Sequence, residues 1–122
     1  MVVDYLSQRQ RFLPDADADR VFKALADSTR RDILARAIER EQSVSSLARR
    51  YEISLTAVQK HVGVLERAAL ISKRRSGREQ IVVANQTTLR QAATLLEVFE
   101  QLWIQRATKI AEILAEEEGE PA

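Results

Sequence analysis

From Ser54 to Ala84 the chain reads, without interruption, as a capped amphipathic helix followed by a short hairpin whose tip is crowded with arginine. Ser54 is a good helix cap, and the run that opens at Leu55 keeps helical spacing to about Ala69. Wound as a helix, it puts Val58, Val62, Leu65 and Ala69 on one side, flanked by Leu55 and His61. Thr56, Gln59, Lys60, Gly63, Glu66 and Arg67 gather on the opposite side, which is free to meet a ligand. Glycine inside a helix costs about 1 kcal/mol relative to alanine. Gly63 is therefore either a tolerated loss or a place where a phosphate backbone passes close.

After the helix come Ile71 to Arg75, the Ser76-Gly77-Arg78 turn, and Glu79 to Ala84, a β-rich run around one glycine that predicts a hairpin. Lys73, Arg74, Arg75 and Arg78 surround its tip, within reach of phosphates or a minor groove if the helix lies in duplex DNA. A solvated charged turn is the plainer reading of the hairpin by itself. Together, helix and hairpin predict a double-stranded DNA partner. The candidate contacts are Ser54, Thr56, Ala57, Gln59, Lys60, Gly63 and Arg67 on the helix, Lys73, Arg75 and Arg78 on the hairpin, and Arg30 upstream. His61, on the apolar margin, reads as a packed histidine rather than a base reader.

Charge is distributed to suit that reading. Residues 27–85 carry 12 basic against 7 acidic side chains, whereas residues 86–122 carry 3 against 7, and the whole chain sums to only +1. A cationic centre and an acidic end fit a protein that holds DNA at one place. At 122 residues the chain suits one domain with a modest core, which a second copy could help complete. No apolar run of membrane-spanning length and no signal-peptide pattern is visible, so a cytoplasmic protein without a membrane partner is expected. The chain has no cysteine, which excludes disulfides and thiolate metal sites.

The predicted organisation is a tail or arm over residues 1–14, a DNA-binding domain over 15–85, a long helix over 86–117 and a short tail over 118–122. Helix one runs from about Asp15 to Ala26, with Val21, Phe22, Leu25 and Ala26 inward. A second helix opens at Asp27 or Ser28 and carries Ile33, Leu34, Ala37 and Ile38. A third opens at Ser43 or Ser45 and ends near Tyr51, three residues before the helix capped by Ser54. Two short helices so joined make a helix-turn-helix, and the charged hairpin behind them makes it winged. The fold class expected is mainly α with one small β-hairpin.

In the long last helix Leu89, Leu96, Trp103 and Ile110 recur every seven residues, with Ala92, Phe99 and Ile113 beside them. That stripe is too long for so small a core. A second copy is the economical cover, and two-fold symmetry would set two reading helices roughly 34 Å apart on one DNA face. The predicted dimer interface is Val21 and Phe22 of helix one with Leu89, Leu96, Phe99, Trp103 and Ile110.

These residues resemble the ArsR-type winged helix-turn-helix repressors over about Val21 to Asn85. Leu25 to Leu34 is similar to the family's Leu-x-Asp-Pro-Thr-Arg-x-x-Ile-Leu opening, with Ser28 where proline is usual. Ser54 to Leu70 is similar to its Ser-x-x-x-Val-x-x-His-Leu-x-x-Leu-x-x-Ala-Gly-Leu helix, with Ala69 in place of the glycine that ends it in a left-handed turn. Arg75 to Arg78 resembles its Arg-x-Gly-Arg wing. The resemblance implies a homodimeric transcriptional repressor on an inverted-repeat operator. Metal-sensing members carry Cys-Val-Cys where this chain has Ser43-Val44-Ser45, and hydroxyls are poor ligands for soft metals. A second metal site of the family uses aspartate and histidine on the last helix, where this chain has only glutamates such as Glu97, Glu100 and Glu112. The Trp103, Arg106, Ile110 neighbourhood resembles a subgroup without metal sites, so no metal and no cofactor is expected, and the effector is left open.

Catalysis is not expected, for the chain has neither a cysteine nucleophile nor a glycine-rich phosphate loop. The competing reading is a helical protein-interaction module, an adaptor or antitoxin-like dimer whose basic face is merely solvated. RNA binding is weakened by the lack of an aromatic stacking platform.

Overall fold

The computed structural model describes residues 13–119. The predicted tail thus falls mostly outside the described residues, but its last two positions belong to the fold: Leu13 is buried, and the Pro14 carbonyl accepts from the Ala18 amide at 2.9 Å. Helix α1 (Asp15–Leu25) comes next, with Asp15 and Asp17 in the first turn, where the helix dipole favours them. Its inward stripe is Ala18, Val21 and Ala24, with Leu25 packed alongside. Val21 is fully buried in the protomer's own core, so it cannot be the dimer contact the sequence suggested. Phe22 and Ala26, expected to face inward, are exposed, because the helical phase is centred on Val21 and carries its immediate neighbour away from the core.

Helix α2 (Ser28–Glu39) is capped by Asp27, whose carboxylate accepts from the Arg30 amide at 3.0 Å, so serine in the proline position costs the cap nothing. Ile33, Leu34 and Ala37 are buried, whereas Ile38, expected inward, is exposed.

A two-residue strand β1 (Gln42–Ser43), which the sequence did not suggest, precedes helix α3 (Val44–Ala48). Ser43 serves both: it pairs in the sheet and its hydroxyl accepts from the Ser46 amide at 3.0 Å to cap α3. The helix stops short of Tyr51 because its last carbonyls are taken by tighter bonds, Arg50 N–H to Leu47 O at 3.0 Å and Tyr51 N–H to Ala48 O at 3.3 Å.

Helix α4 (Leu55–Arg67) is capped by the Ser54 hydroxyl, which accepts from the Ala57 amide at 3.1 Å. It ends in paired bonds, Ala69 N–H to Glu66 O at 2.9 Å and Leu70 N–H to Leu65 O at 3.0 Å. This closure requires a left-handed residue, and Ala69 supplies it at φ 58°. The turn is thus the one glycine usually makes, formed here by an alanine under strain.

Strands β2 (Ile71–Ser76) and β3 (Glu79–Ala84) form the hairpin, with Ile71 opposite Ala84 and Ser76 opposite Glu79. Gly77 takes φ 63° at the tip, as a two-residue hairpin turn demands. The sheet order is β1-β3-β2, all antiparallel.

Asn85 ties the hairpin to the last helix: its amide donates to Leu70 O at 2.9 Å, its side chain donates to Ala69 O at 3.0 Å, and its side-chain oxygen accepts from the Thr87 amide at 3.1 Å. Helix α5 (Gln86–Gly119) starts there. Thr88, Ala92 and Leu95 bury its first turns against the domain, and from Phe99 onward almost every residue is exposed. Ile33, Leu47, Val58, Val62, Leu65, Leu70 and Val82 centre the core, so the sheet and α4 share one apolar body. Among the described residues no helix is long and apolar enough to cross a membrane.

Candidate nucleic-acid interface

Burying Val58, Val62 and Leu65 fixes the rotation of α4, and the opposite side is left in solvent. Thr56, Gln59, Lys60 and Arg67 are exposed there, while Ala57 and Gly63 are half-buried between them. Ser54 is exposed but committed as the cap. A β-carbon added at Gly63 would come within 3.3 Å of the Arg67 guanidinium, so the absent side chain makes room for Arg67 to fold back along its own helix. That gives the glycine a local role, and a flexible arginine tip could yield to an alanine.

The wing stands beside this face. Gln59 of α4, Ser45 of α3 and Lys73, Arg78 and Glu79 of the hairpin line one cleft of about 290 Å³. Ser45, which the sequence offered only as a helix start and as a replacement for a thiolate, belongs to this surface as well. Lys73 reaches back to Glu66 on α4 at 3.3 Å, clasping wing to helix. Arg74 pairs with Glu41 at 2.6 Å, and the Arg75 Nε–H donates to Gly77 O at 3.3 Å within its own turn. Exposed ion pairs such as the first two contribute little to stability. Lys60, Arg67 and Arg78 are held by no hydrogen bond or ion pair among the described residues, so their charges are available to an anion.

Arg30 departs from expectation. Its side chain is only 17% exposed and donates to Ala24 O at 2.8 Å and Lys23 O at 3.2 Å, with Nη1 3.3 Å from His61 Nδ1. A guanidinium so engaged is not a phosphate ligand; the sequence could show its charge but not its partners. His61, expected to be a packed histidine, is half-buried beside this guanidinium.

The predicted interface residues on α5 divide. Leu89 is half-buried and packs against the protomer's own core, while Leu96, Phe99, Trp103 and Ile110 are 56, 47, 67 and 47% exposed. Phe22 of α1 is at the margin. The Arg106 guanidinium lies 5.5 Å from the centre of the Trp103 ring.

Comparison with known proteins agrees with this geometry. The family described as "Helix-turn-helix domain" matches residues 25–74. An ArsR-like transcriptional regulator from Rhodococcus sp. RHA1 superposes with a TM-score of 0.72 at 36% identity, covering 80% of this chain and 92% of that one. The HTH-type transcriptional regulator Rv2034 of Mycobacterium tuberculosis is 34% identical over 99 residues, 81% of this chain and 90% of its own length. The chain belongs to the ArsR-type helix-turn-helix transcriptional regulators. It is accordingly a DNA-binding regulator and not an enzyme, and α3 and α4 are its helix-turn-helix, with β2 and β3 as the wing.

Another relative of this ArsR-type regulator is the uncharacterized HTH-type regulator YuzN of Bacillus subtilis (strain 168), 36% identical over 83 residues, which are 62% of this chain and 90% of that protein. A homodimeric winged helix-turn-helix DNA-binding domain from Mycobacterium bovis, a possible ArsR-family regulator, is similar at 26% identity and TM-score 0.58, covering 70% of this chain and 81% of that one. In the position of the family's thiolates this ArsR-type regulator uses Ser43 as a strand residue and helix cap, a structural role that explains its burial.

Proposed function

We propose that this ArsR-type regulator is a homodimeric repressor that binds an inverted-repeat operator in the cytoplasm. The observation that carries the reading is the cleft shared by Gln59, Lys73 and Arg78, which sets an uncommitted polar helix face and a cationic wing on one side of the molecule. In this reading α4 lies in the major groove. Thr56, Gln59 and Lys60 meet base edges; Ala57 and Gly63 allow close approach; Ser54 presents the helix start; Arg67, Lys73, Arg75 and Arg78 meet phosphates.

The dimer is supported by α5, whose Leu96, Phe99, Trp103 and Ile110 form an apolar stripe that the protomer leaves in solvent, with Phe22 of α1 as a further contact. Burying large apolar side chains of this kind gives about 1.5 to 3 kcal/mol each. The homodimeric state of the Mycobacterium bovis domain points the same way. A two-fold pair would set two copies of α4 toward successive turns of one DNA face.

Selection of bound fragments from genomic DNA tests the proposal. Enrichment of a short inverted repeat is the expected outcome, and a bound pool without any shared sequence contradicts it.

A further inference from the structure

One side chain joins three helices. Arg30, in the first turn of α2, donates through Nε to Ala24 O at 2.8 Å and through Nη2 to Lys23 O at 3.2 Å, both carbonyls at the C-terminus of α1. Its Nη1 lies 3.3 Å from His61 Nδ1 on α4. Its own amide donates to the Asp27 cap at 3.0 Å, and Nη1 stands 3.9 Å from the other Asp27 oxygen. Carbonyls at the end of a helix lack partners within it, and a cation there is favoured by the dipole, so the α1 anchor is chemically sound. What the anchor holds is the reading helix: His61 comes directly after Lys60 and lies midway along α4.

We infer that Arg30 is a positioning residue that sets α4 against α1 and α2 by donating to His61 Nδ1, and that His61 acts as its acceptor rather than as a DNA ligand. The inference rests on α4 being the reading helix. A guanidinium has only donors, so His61 Nδ1 must accept and the imidazole proton must sit on Nε2. Base-reading geometry tolerates displacements of only about 0.5 Å. Loss of this contact therefore falls on discrimination between DNA sequences. Lysine cannot replace Arg30, because a single ammonium lacks the planar fork that reaches three acceptors at once.

His61 is the only histidine of the chain, so its ring nitrogens can be read without assignment. Nitrogen-15 spectra of the intact, DNA-free protein at about pH 8, where free imidazole is neutral, should show the Nε2–H tautomer. Arg30→Lys should shift the ring toward a mixture. A ring protonated mainly on Nδ1 in the wild type overturns the inference.

The functional arm uses two substitutions that place a polar atom at different ring positions, His61→Asn at that of Nδ1 and His61→Gln at that of Nε2. The probe is a duplex selected by the wild type from a random-sequence pool, set against its scrambled counterpart, with urea unfolding measured alongside. His61→Asn should keep the wild-type preference, whereas His61→Gln and Arg30→Lys should lose about tenfold or more of it while remaining folded. Preference retained by His61→Gln and lost by His61→Asn would make the histidine a direct DNA ligand through Nε2 and overturn the inference. So would losses that merely track the unfolded fraction. A wild type that prefers no duplex overturns the reading role of α4 itself, and the tautomer measurement separates that failure from failure of the Arg30 contact.

Discussion

Tyr51 donates its phenolic hydroxyl to the Asp32 carboxylate, joining the turn of the helix-turn-helix to the middle of α2. Arg36, one turn farther along α2, donates Nε to the same carboxylate oxygen at 2.9 Å and lies 6.0 Å from the Tyr51 ring centre. These bonds, the tyrosine's first and the arginine's second, hold the Asp32 carboxyl below its usual 3.8. Burial, and then the bond to Asp32, push the Tyr51 hydroxyl up.

A carboxyl whose folded value is depressed adds stability that is present above its unfolded value and lost as pH falls through the folded one. Tyr51→Phe should therefore lower the unfolding free energy read from urea titration at pH 7 by about 1 kcal/mol for one hydrogen bond, and the gap from the wild type should close below about pH 4. A gap that stays constant into acid would show that the tyrosine acts through packing alone.

Ala69 is the one non-glycine residue at positive φ among the described residues, in a turn that glycine makes without strain. Ala69→Gly should stabilise the fold by about 1 kcal/mol, read as a higher urea midpoint with an unchanged denaturant slope. An unchanged or lower midpoint would mean that the alanine methyl gains more from packing than the backbone loses.

The sequence revealed what local chemistry dictates. Ser54 and Asp27 act as the caps their types suggest, and Gly77 marks the hairpin tip because few other residues turn there so readily. At Ala69 the sequence showed an alanine in place of the family's turn glycine, and the structure shows that the left-handed turn is kept. Tertiary partnership was not legible. Gln42 and Ser43 became a strand only because β3 passes beside them, and two residues have no period to read. Val21 and Phe22 could not be divided between core and surface without the phase of α1. Arg30 looked like any exposed arginine at a helix start until α1 and His61 were seen to take its donors.

In the reading surface the two candidate roles separate. Arg78→Ala should weaken binding to every duplex by a similar factor and make the salt dependence shallower by about one unit, as loss of one phosphate contact requires. Gln59→Ala should instead erode the preference between sequences, by about 1 to 3 kcal/mol if it pairs with a base edge. Fluorescence titration of both variants on matched and scrambled duplexes distinguishes them, and unchanged preference in the glutamine variant removes it from the readers.

Leu96 and Trp103 each stand 56% or more exposed on α5. Replacing both with glutamate should leave the domain folded, since neither belongs to the protomer's core, and should give monomers in sedimentation with DNA affinity much reduced. A dimer that survives both changes lies on some other face.

The central claim is that the exposed face of α4 and the wing read DNA sequence together. Its most direct measurement is the affinity of the intact protein for a selected operator and for the scrambled duplex across a series of salt concentrations. Both affinities should fall steeply with salt, with the operator held tighter by about a thousandfold or more at physiological salt. Equal affinity for the two duplexes at every salt concentration would contradict it.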